Sequence, residues 1–291
     1  MRDLSILIPT FNDECVLLVM QLQQQAEAAG ITYEILVADD GSTQKNVIEA
    51  NRSINTLSRC RYLEQPQNMG RAAIRNYLVS QAQYPWLLFI DSDMMLRHED
   101  YLQKYIQTPE SAELIYGGVS IGEGPQDCLR AIYERAVAHE HTIERRKAQP
   151  YQDFHTANFM ISRSLMQQHP FDERFRHYGY EDVLLGKELQ QAGITIRHID
   201  NPLSFERFET NASFISKTEE GLRTLKTFHA ELHDYSRLLQ AFRQRPWLMP
   251  LMRLTYHLFG KYLRNQLTGN HPRLFAFKLY KLAYFASLWK K

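Results

Sequence analysis

Trp86-Leu87-Leu88-Phe89-Ile90-Asp91-Ser92-Asp93 is a run of five apolar residues that ends on two carboxylates one residue apart. Its length and its lack of a polar face suit a strand covered on both sides. The same order recurs upstream. Leu4-Ser5-Ile6-Leu7-Ile8 runs into Pro9-Thr10-Phe11-Asn12-Asp13, and Tyr33-Glu34-Ile35-Leu36-Val37 runs into Ala38-Asp39-Asp40-Gly41-Ser42. Helical stretches at residues 15–29, 44–57 and 70–82 separate these runs, with a further short β-rich run, Arg61-Tyr62-Leu63, between the last two. Strands alternating with helices predict an α/β fold, a Rossmann-like and mostly parallel sheet flanked by helices. Ligands of such sheets sit beyond the carboxyl ends of the strands, so the three polar clusters are expected on one rim.

The remaining pattern is less regular. Residues 113–119 and 157–161 are expected as strands, residues 126–147 as one long helix, and residues 179–192 as a helix stopped by Gly193. After Asn211 the pattern is helical, with breaks expected near Pro246, Pro250 and Gly269-Asn270-His271-Pro272. The expected division is an α/β domain over residues 1–230 and a helical extension over residues 231–291. A chain of 291 residues, 44% hydrophobic and 23% charged, has room for one such domain and an appendage. No apolar run reaches the length of a membrane span, and the N-terminus enters a strand pattern without a leader, so a cytoplasmic protein is expected. Cys15, Cys60 and Cys128 are odd in number and lack CxxC spacing, which argues for reduced thiols over a disulfide or zinc framework.

The rim clusters carry the chemistry that a nucleotide diphosphate sugar demands. A hard divalent cation wants carboxylate oxygens and open positions for phosphate, and Asp91 and Asp93 can supply one carboxylate to metal and one to ribose or sugar. Asp40 can accept from a uracil N3–H, Pro9 and Thr10 can offer backbone to base or ribose, and Arg71 can pair with phosphate. Asn12 and Asp39 stand in the same clusters. Each cluster also fits a plainer use, as a solvated turn or a helix N-cap. Tyr178-Gly179-Tyr180-Glu181-Asp182 opens a helix, and a carboxylate there, Asp182 or Glu181, can take the proton of an attacking hydroxyl. Ordinary first-turn acidity explains the same pair.

Taken together, Ser5-Ile6-Leu7-Ile8-Pro9-Thr10-Phe11-Asn12, Asp39-Asp40-Gly41-Ser42, Asn68-Met69-Gly70-Arg71-Ala72-Ala73-Ile74-Arg75-Asn76, Asp91-Ser92-Asp93 and Gly179-Tyr180-Glu181-Asp182 resemble, in order and spacing, the family 2 glycosyltransferases of the GT-A fold. The resemblance covers about residues 1–230. It implies inverting transfer from a UDP-, GDP- or dTDP-sugar, with UDP favoured. Asp40 would serve the base, Asp91 the ribose and sugar, Asp93 a Mg²⁺ or Mn²⁺ ion, and Asp182 would be the general base. Relatives often carry a histidine where this sequence has Phe205, which leaves His198 as a weak substitute ligand. His155, Asn158 and Tyr180 are assigned to the sugar and acceptor cleft by the same resemblance, although a polar bend before a strand explains His155 and Asn158 equally well. Two other functions stay open: a nucleotidyltransferase, which should show a Gly-rich basic loop after the first strand, and a silent nucleotide-sugar-binding protein.

Charge is unevenly placed. From Tyr235 to Lys291 there are eleven Lys and Arg and no Asp or Glu, which leaves −10 for the rest of a chain whose formal charge is +1. Aromatic residues are interleaved with these cations, and the stretch from Leu274 to Phe285 is too apolar for a freely solvated helix. An anionic membrane surface suits such a segment, each nearby Lys or Arg contributing on the order of 1 kcal/mol. The expected setting is therefore the inner face of a membrane, near a glycan or lipid-linked acceptor. A helical hairpin packed on the catalytic domain, or a homo-oligomer interface, would use the extension differently. Nucleic acid fits poorly against an otherwise acidic chain.

Overall fold

A computed structural model describes residues 3–109, 111–152 and 154–289. Asp153, in the stretch leading to the expected cleft residues, and Lys290 and Lys291, in the basic extension, lie outside the described residues. The first half alternates strand and helix: β1 (Leu4–Thr10), α1 (Val16–Ala28), β2 (Tyr33–Asp39), α2 (Lys45–Arg52), β3 (Cys60–Glu64), α3 (Arg71–Gln81) and β4 (Trp86–Ile90). There follow β5 (Met94–Met95), α4 (Tyr101–Ile106), β6 (Leu114–Tyr116), β7 (Val119–Ile121), α5 (Leu129–Val137), α6 (Ile143–Ala148), β8 (Asn158–Ser162), α7 (Arg163–Gln168), α8 (Glu181–Gln191), β9 (Arg197–His198) and β10 (Leu203–Phe205). Five helices close the chain: α9 (Asn211–Thr227), α10 (His229–Leu232), α11 (Arg237–Gln244), α12 (Leu248–Thr268) and α13 (Leu274–Ser287).

The main sheet has the order β3-β2-β1-β4-β8-β6-β9, with β5-β10-β7 forming a small second sheet. Strands β3, β2, β1 and β4 are mutually parallel, whereas β8 runs antiparallel to both β4 and β6. Because β1 has β2 on one side and β4 on the other, their carboxyl ends diverge into a crevice, the usual seat of a ligand in such sheets. Period-two alternation sorts the core. Leu7, Leu36, Leu87 and Phe89 pack with α3, α8, α9 and α13, while Ile6, Ile8, Val37, Leu88 and Ile90 pack with α1 and α4. All three cysteines are free and buried.

Three local expectations change. The single strand expected over residues 113–119 is two, β6 and β7, which part at Gly117-Gly118 and join different sheets. The long helix expected over residues 126–147 is broken by a 3₁₀ turn at Ala138–Glu140, and Thr142 starts α6 as its N-cap. That break turns His141 into the cleft described below. Pro250 breaks nothing, because it falls in the first turn of α12, where a missing backbone N–H costs no helical hydrogen bond.

The extension is part of the body. Phe277, Tyr280, Ala283 and Phe285 of α13 are buried in the same core as the sheet. The Tyr280 hydroxyl donates to Glu219 at 2.7 Å, and Arg223 donates to the Tyr284 hydroxyl at 2.6 Å. The apolar excess of residues 276–285 is thus largely satisfied internally, while Phe275 stays exposed.

Candidate active site

The loops after β1, β2 and β3 brace one another. Thr10 donates to the Asp13 carbonyl at 2.9 Å, and Asn12, at a φ of 52°, accepts from the amides of Thr43 and Gln44 at 2.8 and 3.0 Å, so that it caps α2 from another loop. Asp39 accepts from the Ser42 amide at 2.7 Å and from the Tyr62 hydroxyl. Asp40 accepts from the amides of Met69 and Gly70 at 2.6 and 3.1 Å; burial raises its pKa, while those two amides oppose the rise. Pro9, Thr10, Asn12, Asp39 and Asp40 therefore all stand on the carboxyl rim. The side chains of the last four are engaged within and between these loops, and none of the five lines the cleft.

Two glycines set this geometry. Gly41 has a φ of +74°, and a Cβ there would meet the Gln67 carbonyl carbon at 2.5 Å; Gly70 has a φ of +93°, and a Cβ would meet the Arg176 carbonyl oxygen at 2.8 Å. Gly70→Ala combines strained backbone with a backbone clash directly before α3. It is expected to cost about 2–3 kcal/mol in urea denaturation; a loss below about 0.5 kcal/mol would show that the loop relaxes freely.

A cleft of about 480 Å³ opens where β4, α8, α9 and α13 converge, and it contains Arg71, Asp91, Asp93, His155, Tyr180, Glu181 and Asp182. Asp91 is held by two arginines: Arg75 donates to Oδ1, and Arg71 lies 3.3 Å from Oδ2. Arg71 also donates to Glu181 at 2.6 Å, tying the loop after β4 to the first turn of α8. Glu181 is buried in that ion pair, which anchors the helix start. Asp93 is the carboxylate of the triplet that faces the cleft without such a clamp. Burial, then repulsion from Asp91 and Asp13, pushes its pKa up to about 6.

Across the cleft, Asp182 Oδ2 lies 3.1 Å from His155 Nδ1, while Oδ1 accepts from the Val183 amide at 2.8 Å. Burial alone would raise the Asp182 pKa; the His155 hydrogen bond and charge overcome this and hold the carboxyl below its ordinary range. Asp182 is thus ionised at neutral pH. His141 packs edge-on against His155, and burial together with that neighbour lowers its pKa to about 4. Tyr180 enters α8 at a φ of 71°, which puts its ring at the cleft wall.

Two expected site residues are displaced. Asn158 is fully buried at the start of β8, where its amide meets Tyr101, Tyr105 and the carbonyls of Gly118 and Asn201; it holds the interior together and does not reach the cleft. His198 is buried on β9 between Arg146 and the Pro150 carbonyl, with a pKa lowered to about 4 by burial and the adjacent guanidinium. Closed in by a cation, it is withdrawn as a metal ligand. Phe205 does border the cleft, and the Arg130 guanidinium carbon sits 4.2 Å above its ring. Arg130 is fixed by Glu209 at 3.1 Å and Glu134 at 3.4 Å. Among the described residues no group of three or more His, Cys, Asp or Glu could hold a metal ion.

Arg130, His141 and Lys281 carry no site role in the sequence, and Arg75 stands in the motif that opens α3 without one. Arg75 had a signal, since it lies four residues after Arg71 on α3 and so shares its face. Arg130, His141 and Lys281 had none, being brought in by the break after α5 and by the packing of α13.

The sequence model of glycosyl transferase family 2 matches residues 5–170, more than half of the chain. A chondroitin synthase of Escherichia coli is 25% identical over an alignment 239 positions long that covers 70% of this chain and 34% of that protein, so the chain spans about a third of this relative's length. Among solved structures, S. aureus TarS in complex with UDP-GlcNAc aligns over 98% of this chain and 90% of its own, with a TM-score of 0.55 at 16% identity. The mannosyltransferase PcManGT from Pyrobaculum calidifontis, in complex with GDP-Man and Mn²⁺, aligns over 98% and 85%, with a TM-score of 0.55 at 13% identity. At these identities the two structures establish a shared fold.

Proposed function

The chain belongs to glycosyl transferase family 2, and from that premise we propose that it moves a sugar from a nucleotide diphosphate sugar to a hydroxyl of a glycan or lipid-linked acceptor, with inversion at the anomeric carbon. The observation that carries this is the Asp182–His155 pair, set in one cleft with Asp93 and Arg71. The acceptor oxygen attacks the anomeric carbon as its proton passes to the Asp182 carboxylate. The bond from that carbon to the diphosphate oxygen breaks, and the diphosphate leaves with the electron pair. His155 holds Asp182 in its ionised form and orientation. Arg71 and Arg130 meet the negative charge that grows on the leaving group.

A divalent cation, Mg²⁺ or Mn²⁺, would be held by Asp93 together with the donor's own diphosphate, where it neutralises the leaving group. The nucleoside end would extend toward the rim at Pro9 and Thr10, where Phe11 is exposed. A UDP-sugar is the favoured donor, in line with the UDP-GlcNAc bound by TarS, and a cell-surface polysaccharide or glycolipid precursor is the favoured product class. The enzyme would work as a peripheral protein at the inner face of the membrane.

A thermal-shift screen of UDP-, GDP- and dTDP-sugars with and without Mn²⁺ tests this. A donor at a hundred times its Kd stabilises the fold by about 2.7 kcal/mol, a shift of several degrees. The expected result is a UDP-sugar shift that grows with Mn²⁺ and loses that growth in Asp93→Asn. No shift with any nucleotide sugar would remove the transferase reading, and binding without donor hydrolysis would leave a silent binding protein.

A further inference from the structure

Helix α12 is amphipathic in an unusual sense: both of its faces are apolar. Met252, Gly260, Leu263 and Leu267 are buried against α13 and α9. The opposite face carries Trp247 just ahead of the helix, then Leu251, Leu254, Leu258 and Tyr262, at spacings of three and four residues that keep them on one stripe. Leu254 is 54% exposed, Leu258 61% and Tyr262 70%, and Phe275 at the start of α13 reaches 78%. A 21-residue helix is about 30 Å long, so the stripe is a continuous apolar line along most of its length.

The charges around the stripe have one sign. No Asp or Glu occurs from Tyr235 onward, and Arg245, Lys261, Arg273 and Lys278 are exposed beside it. Other cations of the extension are paired with carboxylates, Arg237 with Glu140, Arg243 with Asp234 and Arg264 with Glu219. What faces outward is an apolar line edged by positive charge, with an aromatic residue at each end. No helix among the described residues is long and apolar enough to cross a membrane, so such a surface lies on a bilayer and does not span it.

We infer that the outer face of α12, with Phe275 beside it, docks the protein on an anionic lipid bilayer. A second copy of the chain fits less well, because an isologous contact through this face would set its cations against themselves. An anionic headgroup layer complements both the charge and the apolar line. The surface differs from the one the sequence suggests: α13 is the more apolar helix, but it is spent on the core. The consequence for the site is direct, since Phe277 and Lys281 of α13 line the cleft on the inner side of the same hairpin. Docking through α12 holds the acceptor end of the cleft near the lipid surface. This last step rests on the transferase reading, whereas the docking itself does not.

Flotation of the full chain on vesicles tests it, comparing phosphatidylcholine alone with phosphatidylcholine mixed with phosphatidylglycerol. The wild type is expected to float at least about tenfold better on the anionic vesicles and to be released as salt is raised. Leu254→Glu combined with Leu258→Glu should lower binding about tenfold or more, with melting and donor hydrolysis unchanged because both side chains already face water. Equal flotation on the two vesicle types, no flotation on either, or a double variant that floats like wild type would overturn the proposal. So would a dimer in sedimentation equilibrium that the double variant converts to monomer, which would assign the stripe to self-association. Absent donor hydrolysis with intact flotation would instead remove the transferase reading and leave the docking surface standing.

Discussion

Asp182→Asn is expected to lower turnover about 10³-fold while donor affinity changes by less than about threefold, the signature of a base used in the transition state and not in binding. The substitution keeps the shape of the side chain, so the hydrogen bond from the Val183 amide to the carbonyl oxygen can persist. What is lost is the ability to accept the acceptor's proton. The measurement needs no knowledge of the natural acceptor, since release of nucleoside diphosphate with water as acceptor reports the same step. Glu181→Gln makes the contrast. Glu181 is buried against Arg71, so its loss should appear mainly as reduced stability. A variant at Asp182 that retains more than about a tenth of wild-type turnover would refute the assignment.

The same pair makes a pH prediction with a definite sign. A base works when ionised, so activity is present above its pKa and disappears as pH falls through it. His155 holds the Asp182 carboxyl low against burial, so the Asp182 limb, read in kcat at saturating donor and cation where Asp93 is held ionised, lies below the usual carboxylate range. His155→Ala removes the largest lowering partner and leaves burial opposed only by the Val183 amide and Arg71, so the pKa rises. The acid limb should then move to higher pH. A limb that stays in place would make His155 a packing residue and not a positioning one.

The sheet was legible because each of its first strands is a strand-length apolar run closed by polar residues, and each connection carries a helical period. Residues 86–93 alone contain the strand, its end and both carboxylates. The partners of those carboxylates were less accessible. Asp182 and His155 are 27 positions apart, and only the turn into β8 and the start of α8 bring them together. Asn158 and His198 look like site residues in the sequence because amides and imidazoles serve ligands and interiors alike. Their destination depends on Tyr101, Tyr105 and Arg146, which come from distant elements. The break after α5 was hidden because residues 138–148 have no glycine or proline to announce it. In the extension, composition showed that an apolar face would be covered, but not which helix would cover it.

Arg75→Met is expected to destabilise the fold by about 3 kcal/mol, near the lower end of what breaking a buried ion pair costs. Arg75 is 2% exposed; it donates to Asp91, reaches the Arg71 carbonyl at 3.0 Å, and stacks 5.8 Å from the Phe171 ring. Methionine can fill most of the volume and keep the contact with Phe171, so packing loss is small and the electrostatic loss dominates. Asp91 would keep only Arg71, 3.3 Å away and already shared with Glu181. The side chain of Asp91 is partly open to the cleft, which lets water recover some of the penalty and sets the estimate at the low end. Adding Asp91→Asn removes the stranded charge, so the double variant should regain about half of the loss. That recovery separates a charge effect from a packing effect, because a cavity would not be mended by changing Asp91. Urea denaturation of the four proteins gives the cycle directly. A coupling energy below about 0.5 kcal/mol would mean that Asp91 does not depend on Arg75, and the case for Asp93 as the one unclamped carboxylate of the triplet would have to be made without it.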